Sequence, residues 1–221
     1  MNTFDLSRFL KFLDRRSEDI AWLAVQHLIV VAVSLGIATV LGVSIGLLVW
    51  NRPVPRSVAI TSAGIALTVP SLALLALLSP LLGLGWGPTV VSLVFYSLLP
   101  IVRNTVVGLR EVPAHLIESA RGMGMTPRGV LFSTQLPIAW PVILAGVRVA
   151  AQLTIGIAAI AAYVAGPGLG EYIFRGLSSL GSVNALNYAL AGTVCVVVMA
   201  LLVDAAFILI SRYTTSRGLR V

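Results

Sequence analysis

Charged side chains are scarce in this sequence: Asp, Glu, Lys and Arg make up 10% of its 221 residues, whereas roughly 25% is usual in a soluble domain. Hydrophobic residues make up 58%, and the mean hydropathy is +1.00. A chain this apolar does not stay dissolved, so the composition predicts an integral membrane protein. The net charge of +7 could indicate a nucleic-acid partner, but arginines in cytoplasmic loops explain it more simply. No nucleic acid is therefore expected to bind.

Lysine, histidine and cysteine are nearly absent, which excludes several kinds of site. The single lysine, Lys11, does not follow a glycine, as it would in a phosphate-binding loop. Any ATP must therefore bind another polypeptide, and no cofactor is expected here. His27 and His115 are each followed by leucine, so there is no His-Glu-x-x-His zinc pair and no metal site is expected. His27 is expected to pack at the membrane interface, and Cys195 cannot form an intramolecular disulfide.

Long apolar blocks dominate the rest of the chain. Each is long enough for a membrane span, which needs about 20 apolar residues, and together they predict an all-α, polytopic protein with about five transmembrane helices. The blocks cover residues 21–50, 58–82, 88–107, 141–165 and 186–210. Residues 1–20 form an amphipathic N-terminal segment, 21–210 the transmembrane domain, and 211–221 a tail.

The N-terminal segment alternates apolar and charged residues, which predicts a short amphipathic helix. The apolar residues that alternate with Asp5, Arg8, Lys11 and Asp14 are Phe4, Leu6, Phe9, Leu10 and Leu13. This helix either lies at the membrane interface or docks against another subunit. The residues alone leave both interpretations open.

Arginine placement predicts the orientation of the spans. Nine arginines fall in the loops and tail on one side, while the loops on the other side hold only Arg175. The nine are Arg52, Arg56, Arg103, Arg110, Arg121, Arg128, Arg212, Arg217 and Arg220. Because cytoplasmic loops are rich in arginine, the C-terminus is predicted inside and the N-terminus outside. Four N-terminal cations, Arg8, Lys11, Arg15 and Arg16, run against this prediction.

The stretch from Glu111 to Pro137 is the longest polar interruption between apolar blocks. The positions of its prolines and glycines predict two short helices connected by a turn. Pro113 suits a first helical turn, and Gly122 and Gly124 allow a joint with positive φ. Thr126 followed by proline is an N-cap signal. Pro137 is predicted to end the second helix, because the residue before a proline avoids the α conformation.

This stretch resembles the EAA loop of permease subunits of binding-protein-dependent ABC importers. That pattern is Glu-Ala-Ala, three residues, Gly, nine residues, then Ile-x-Leu-Pro. The chain reads Glu118-Ser119-Ala120, then Gly124, then Thr134-Gln135-Leu136-Pro137. Ser119 replaces an alanine and Thr134 an isoleucine, both small changes.

The resemblance implies the type I ABC importer permease fold in a bacterial cytoplasmic membrane. It implies that a cytoplasmic coupling helix docks on a separate ABC ATPase, so this chain is not itself an enzyme. It also implies a second permease subunit, either a copy or a paralogue, and an extracytoplasmic solute-binding protein. The residues it assigns to coupling are Glu118, Ser119, Ala120, Gly122, Gly124, Leu136 and Pro137.

Further stretches resemble the osmoprotectant permeases, which import glycine betaine, carnitine or choline. They are Leu67–Leu75, Tyr96–Thr105, Gly122–Met125 and Gly166–Gly170. Amino-acid permeases share much of this pattern, so an amino acid or another small polar solute is the alternative substrate. A membrane enzyme and one half of an ion-driven secondary transporter are rivals from other classes.

Two polar patches inside the apolar blocks are candidates for the translocation pathway. Pro70 is predicted to kink its helix, and Thr68 and Ser71 beside it can bond the freed carbonyls. A purely structural kink is the alternative there. Gln152 and Thr154 form the second patch, for which close helix packing by small neighbours is the alternative.

Arg148 and Asp204 are the charges deep within the apolar blocks. If a span rises from Pro141, Arg148 lies seven residues in, about 10 Å from the cytoplasmic end. Asp204 lies six residues before Ile210, about 9 Å from the same end. Equal depth on neighbouring antiparallel spans predicts an ion pair or shared polar network. Separate snorkelling toward the headgroups is the alternative.

Overall fold

The computed structural model describes residues 5–214, and within them the chain is helical without a β-strand. Phe4, Arg217 and Arg220 lie outside the described residues. The α-helices are α1 (Leu6–Arg15), α2 (Ser17–Val49), α3 (Pro53–Thr68), α4 (Ser71–Leu82), α5 (Trp86–Arg110), α6 (Ala114–Gly122), α7 (Pro127–Val130), α8 (Leu136–Ala161), α9 (Gly170–Ser178) and α10 (Ala185–Thr214). A π-helical turn, Leu131–Gln135, joins α7 to α8, and a 3₁₀ turn, Ala162–Val164, follows α8.

Four helical segments of the described chain are long and apolar enough to cross a membrane: α2, α5, α10 and the continuous run Pro127–Val164 that contains α8. α3 and α4 pass the same test together and make a fifth if they are counted as one broken span, with a bend of 94° between them. The spans are longer than the apolar blocks indicated. α5 runs without interruption through Pro100 and Arg103, and α10 continues past Ile210 to Thr214.

α5 lies at the centre of the bundle and packs along its length against α2 and α8. Small residues make this close approach possible. A Cβ atom placed on Gly46 of α2 would lie 2.5 Å from Cγ2 of Thr105, and one on Gly146 of α8 would lie 2.7 Å from the Pro100 carbonyl oxygen. Helices in a membrane associate through such close packing, because lipid tails provide no hydrophobic drive between them.

The two ends of the bundle can be told apart by contacts between elements. At one end, here called the N-terminal end, the rings of Phe12 and Tyr188 lie 4.8 Å apart, and Gly85 N–H donates to the Val164 carbonyl at 2.9 Å. At the other, the loop end, Trp140 Nε1 donates to Thr214 Oγ1 at 3.0 Å. α2, α5 and α10 therefore run in parallel, away from the N-terminal end.

α1 folds back onto the bundle. Asp5 caps its first turn, accepting hydrogen bonds from the backbone N–H groups of Ser7 and Arg8, and the Ser7 hydrogen bonds lower the pKa of Asp5 most. Phe9 and Phe12 are buried in a cluster that includes Leu23, Leu169, Tyr172 and Ala191. The amphipathic helix predicted from the sequence is therefore anchored by contacts within its own chain.

His27 does not pack at the membrane interface as expected, because it is fully buried in the bundle. Its Nε2 lies 3.2 Å from the Ile155 carbonyl oxygen. The Gly166–Gly170 loop folds over it: Gly168 has φ +118°, and a Cβ there would lie 2.7 Å from both Cβ and Nδ1 of His27. Only glycine fits this close approach. The burial of His27 therefore depends on a distant loop, and the residues around His27 in the sequence gave no sign of it.

The prediction that Pro137 ends the second loop helix is wrong. The chain passes through the π-helical turn Leu131–Gln135 and continues directly into α8, with Pro137 in the first turn of that helix. Leu136 N–H donates to the Leu131 carbonyl, a bond that spans five residues. The wider turn shifts the hydrogen-bond register so that the missing N–H of Pro137 falls where a new helix begins.

Candidate coupling loop and polar sites within the bundle

α6 is the exposed helix of the loop between α5 and α8. Glu118, Arg121 and His115 are exposed, and only Ala120, at 2% exposure, is buried. Ser119 Oγ donates back to the His115 carbonyl at 2.8 Å, so its hydroxyl is satisfied within the helix. The helix therefore offers a carboxylate and a guanidinium, three residues apart, to whatever docks at the loop end.

Gly124 closes α6 in a Schellman motif. Its N–H donates to the Arg121 carbonyl at 2.9 Å, and Met125 N–H donates to the Ala120 carbonyl at 3.2 Å. This pair of bonds requires a left-handed residue after the helix, and Gly124 has φ +83°. Gly122, by contrast, is the last residue of α6 and has no positive φ. Of the two glycines predicted to allow a positive φ between the helices, only Gly124 has one.

The second loop helix starts as its sequence predicts. Thr126 caps α7, and its Oγ1 accepts the Gly129 N–H at 3.2 Å. Because α7 runs through the π turn into α8, the loop and this span form one continuous helical rod. Leu136, at the junction, packs on a cluster that contains Leu109 and Ile143, whereas Pro137 is exposed.

A cleft of about 520 Å³ lies between this loop and the end of α2. Three arginines, Arg52, Arg121 and Arg128, are among its lining residues, and Ile117 and Trp50 provide part of its apolar wall. The loop end therefore combines a positively charged cleft with the carboxylate of Glu118.

At Pro70 the structure has a break between two helices, where the sequence predicted only a kink. Thr68 Oγ1 donates to the Ile65 carbonyl at 2.7 Å, as expected for a residue beside a break. The Val69 carbonyl, however, accepts from Tyr96 Oη of α5 at 2.6 Å. This partner was missed, although Tyr96 lies in one of the stretches that carried the resemblance. The ring reaches across from a helix 27 residues away in sequence, so local spacing gave no signal.

Arg148 and Asp204 form the predicted ion pair. Arg148 Nε and Nη2 each lie 2.6 Å from one oxygen of the Asp204 carboxylate, a two-bond geometry. The side chains are 42% and 30% exposed in the chain, so the pair lies at the bundle surface rather than sealed within it. Separate snorkelling is therefore not what the structure shows.

Gln152 joins this pair, whereas Thr154 does not. Gln152 Nε2 lies 3.3 Å from both Asp204 Oδ1 and the Ala200 carbonyl oxygen. Thr154 is fully buried and bonds the Ala151 carbonyl of its own helix. The patch predicted from Gln152 and Thr154 therefore divides, and no hydrogen bond in the described chain links it to Thr68, Pro70 or Ser71 at the break. Among the described residues, no group of His, Cys, Asp and Glu could hold a metal ion.

The role of Gly124 can be tested with substitutions that differ in how well they tolerate a positive φ. Gly124→Val should open the end of α6, because a left-handed residue with a side chain costs about 1–2 kcal/mol, whereas Gly124→Asn should be milder. Amide hydrogen exchange across α6 should quicken about 5- to 30-fold in the valine variant. Gly122→Ala is the matched control, since a Cβ there meets nothing within 4 Å; equal exchange in Gly122→Ala and Gly124→Val would contradict the assignment.

The Arg148–Asp204 pair predicts rescue by exchange. Arg148→Leu and Asp204→Leu should each lower the level of folded protein several-fold, because one unpaired charge then remains within the membrane span. The double exchange Arg148→Asp with Asp204→Arg should recover part of the loss, as read by fluorescence-detected gel filtration. An exchanged protein no more abundant than the poorer single variant would mean that the two charges act independently.

The comparisons with known proteins agree with this architecture. Residues 38–215 match the family model described as "Binding-protein-dependent transport system inner membrane component". The chain is 34% identical to the choline transport system permease protein OpuBB of Bacillus subtilis, covering 97% of both chains. It is 39% identical to the carnitine transport permease protein OpuCB of Listeria monocytogenes, covering 88% of each.

Solved structures show the same fold. An inward-facing form of the MetNI methionine ABC transporter matches with a TM-score of 0.76 and 25% identity, over 90% of this chain and 99% of that one. An amino acid ABC transporter matches with a TM-score of 0.76 at 18% identity, over 96% and 99%. The predicted type I ABC importer permease fold is confirmed, and the chain belongs to the family of inner-membrane components of binding-protein-dependent transport systems.

Proposed function

We propose that this chain is the membrane-spanning subunit of an ABC importer for an osmoprotectant such as choline, carnitine or glycine betaine. The observation that carries the proposal is the similarity over nearly the whole chain to permeases named for these solutes. The methionine and amino-acid transporters that share its fold are less similar in sequence. An amino acid is therefore the alternative substrate to test.

The exposed helix α6 is the proposed contact with a separate ABC ATPase, which binds and hydrolyses the ATP. Its support is the Glu118-Ser119-Ala120 pattern, followed by Gly124 in the left-handed conformation that closes the helix. α6 packs against α7 and the π-helical turn, and both are continuous with α8. Motion at the loop thus reaches the span that carries Arg148 and Gln152 without passing through a flexible linker.

The remaining partners are a second permease subunit, which is a copy or a paralogue, and an extracytoplasmic solute-binding protein. α3 and α4 leave many apolar residues exposed, such as Ile65, Leu72, Leu77 and Leu81, and these suit lipid or a neighbouring permease. The solute passes between the paired subunits by alternating access. Its path runs past the break at Pro70 and the network of Arg148, Gln152 and Asp204. This chain itself needs no cofactor.

The proposed orientation places the loop end in the cytoplasm and the N-terminal end outside. It rests on the arginines of the loop end, among them Arg56, Arg110 and Arg121, and on the positive-inside rule. It puts α6 on the side of the membrane where ATP is available.

Solute uptake tests the proposed function directly. Cells of the source organism that lack this gene should lose high-osmolarity uptake of labelled choline, carnitine or glycine betaine and regain it with the wild-type gene. Glu118→Arg should insert normally yet restore less than a tenth of the uptake, because it meets the expected basic groove of the ATPase with a like charge. Glu111→Arg, which reverses another exposed carboxylate of the same loop, is the control. Lost methionine or histidine uptake with unchanged osmoprotectant uptake would assign an amino-acid substrate instead.

Cysteine accessibility in intact cells tests the orientation. In a variant whose Cys195 is replaced by alanine, a cysteine at Gly85 or Ser179 should react with a membrane-impermeant maleimide, and one at Arg56 or Arg121 should react only after the membrane is opened. The reason is that the first two lie at the N-terminal end and the last two at the loop end. Labelling of position 121 from outside would reverse the orientation.

A further inference from the structure

Four cations line a pocket at the N-terminal end of the bundle. Arg8, Lys11 and Arg15 follow at helical spacings of three and four, so they share one face of α1. With Arg16 they enclose a volume of about 300 Å³. The opposite wall comes from the start of α10, and the remaining lining residues are Phe12, Asn184, Asn187 and Tyr188. Among residues 5–214, no carboxylate lines this pocket.

Lys11 and Arg15 are the two cations of the pocket whose charge is not balanced by a carboxylate of the described chain. Arg16 pairs with Asp19 at 2.8 Å and Arg8 with Asp5 at 3.5 Å, but within residues 5–214 no ion pair involves Lys11 or Arg15. The pocket therefore presents uncompensated positive charge beside amide side chains. This is the chemistry that holds an anionic oxygen cluster such as a phosphate.

A second, wholly apolar groove of about 510 Å³ lies between α2 and α10. Its lining residues are Ile20, Ala24 and Leu28 of α2, with Cys195, Val198, Met199, Leu202, Val203 and Ala206 of α10. From Cys195 to Ala206 the helix rises about 16 Å at 1.5 Å per residue. One half of a bilayer's hydrocarbon core is about 15 Å thick, so the groove matches the depth of one lipid monolayer.

The pocket and the groove are neighbours. Ile20, at the top of the groove, comes one helical turn after Arg16, and it packs with Ala24, Cys195 and Met199 around the cluster that contains Phe12 of the pocket. Beside them Leu6, Leu10 and Trp22 are 59%, 56% and 63% exposed. Tryptophan favours the headgroup level of a membrane. A cationic pocket therefore lies at headgroup height directly above an apolar groove of monolayer depth.

We propose that this pair of cavities is a binding site for one anionic phospholipid. Its phosphate lies among Lys11, Arg15 and Arg16, and one acyl chain lies along the groove between α2 and α10. The proposal goes beyond transport and does not depend on which solute is carried. The bound lipid would fasten α1 more firmly to α10, which it already meets through the Phe12 and Tyr188 rings and the cluster that contains Ala191.

Native mass spectrometry of the detergent-purified, full-length permease in its transporter complex tests the headgroup pocket. We expect dioleoyl phosphatidylglycerol to bind more tightly than dioleoyl phosphatidylcholine, which has the same acyl chains. Lys11→Gln with Arg15→Gln should weaken binding of the anionic lipid by about 25-fold, since each cation near anionic lipid contributes about fivefold. Binding of phosphatidylcholine should fall much less, because its choline offsets the charge of its phosphate. Arg103→Gln with Arg110→Gln removes the same charge elsewhere and should change neither lipid. Inorganic phosphate at the same concentration should not displace the lipid, because it lacks the acyl chain.

The groove has its own matched pair of variants. Ala206→Trp fills its far end, whereas Ala205→Trp adds the same side chain to a neighbouring exposed position that does not line it. Only Ala206→Trp should lower the occupancy of the anionic lipid. Equal binding of the two lipids to the wild type, or displacement by inorganic phosphate alone, would overturn the proposal. So would a change in subunit number rather than lipid occupancy in Ala206→Trp, since the groove would then be a protein interface.

Discussion

The need to pair every backbone polar group inside a membrane, where no water can do so, governs how this chain interrupts its helices. At Pro137 a π-helical turn moves the hydrogen-bond register, so the helical rod continues. At Pro70 the helix breaks by 94°, and the Tyr96 hydroxyl bonds the Val69 carbonyl left at the break. The two prolines thus have opposite outcomes, because at Pro137 the register shifts within one helix, whereas at Pro70 a side chain from another helix bonds the free carbonyl.

The central position of α5 follows from the same absence of water. With no hydrophobic drive between helices in lipid, they associate where backbones approach closely. Gly42 and Gly46 of α2 receive Ile101 and Thr105, and Gly146 of α8 receives Asn104. The resulting contacts hold the Tyr96 face of α5 against the broken helix and leave the outer faces of α3, α4 and α10 exposed to lipid or to a partner.

Charge is placed mainly at the loop end and at the N-terminal end. Within the bundle, Arg148 and Asp204 satisfy each other with two short bonds, and Gln152 adds a third contact. The N-terminal cations are the part of the sequence that disagreed with the arginine rule. The proposed lipid site would account for their placement, since a Lys or Arg near an anionic membrane surface is attracted to its headgroups.

The sequence by itself determined the family, the number of apolar blocks and the helix–glycine–helix loop, because these depend on local spacing and composition. It also located the pairing of Arg148 with Asp204, because two antiparallel helices of known rise bring equal depths together. Only the tertiary structure decided the burial of His27, the break at Pro70 and the continuation through Pro137. Each of these depends on a group supplied by a distant element or on a shifted hydrogen-bond register, and neither leaves a periodic signal in the neighbouring residues.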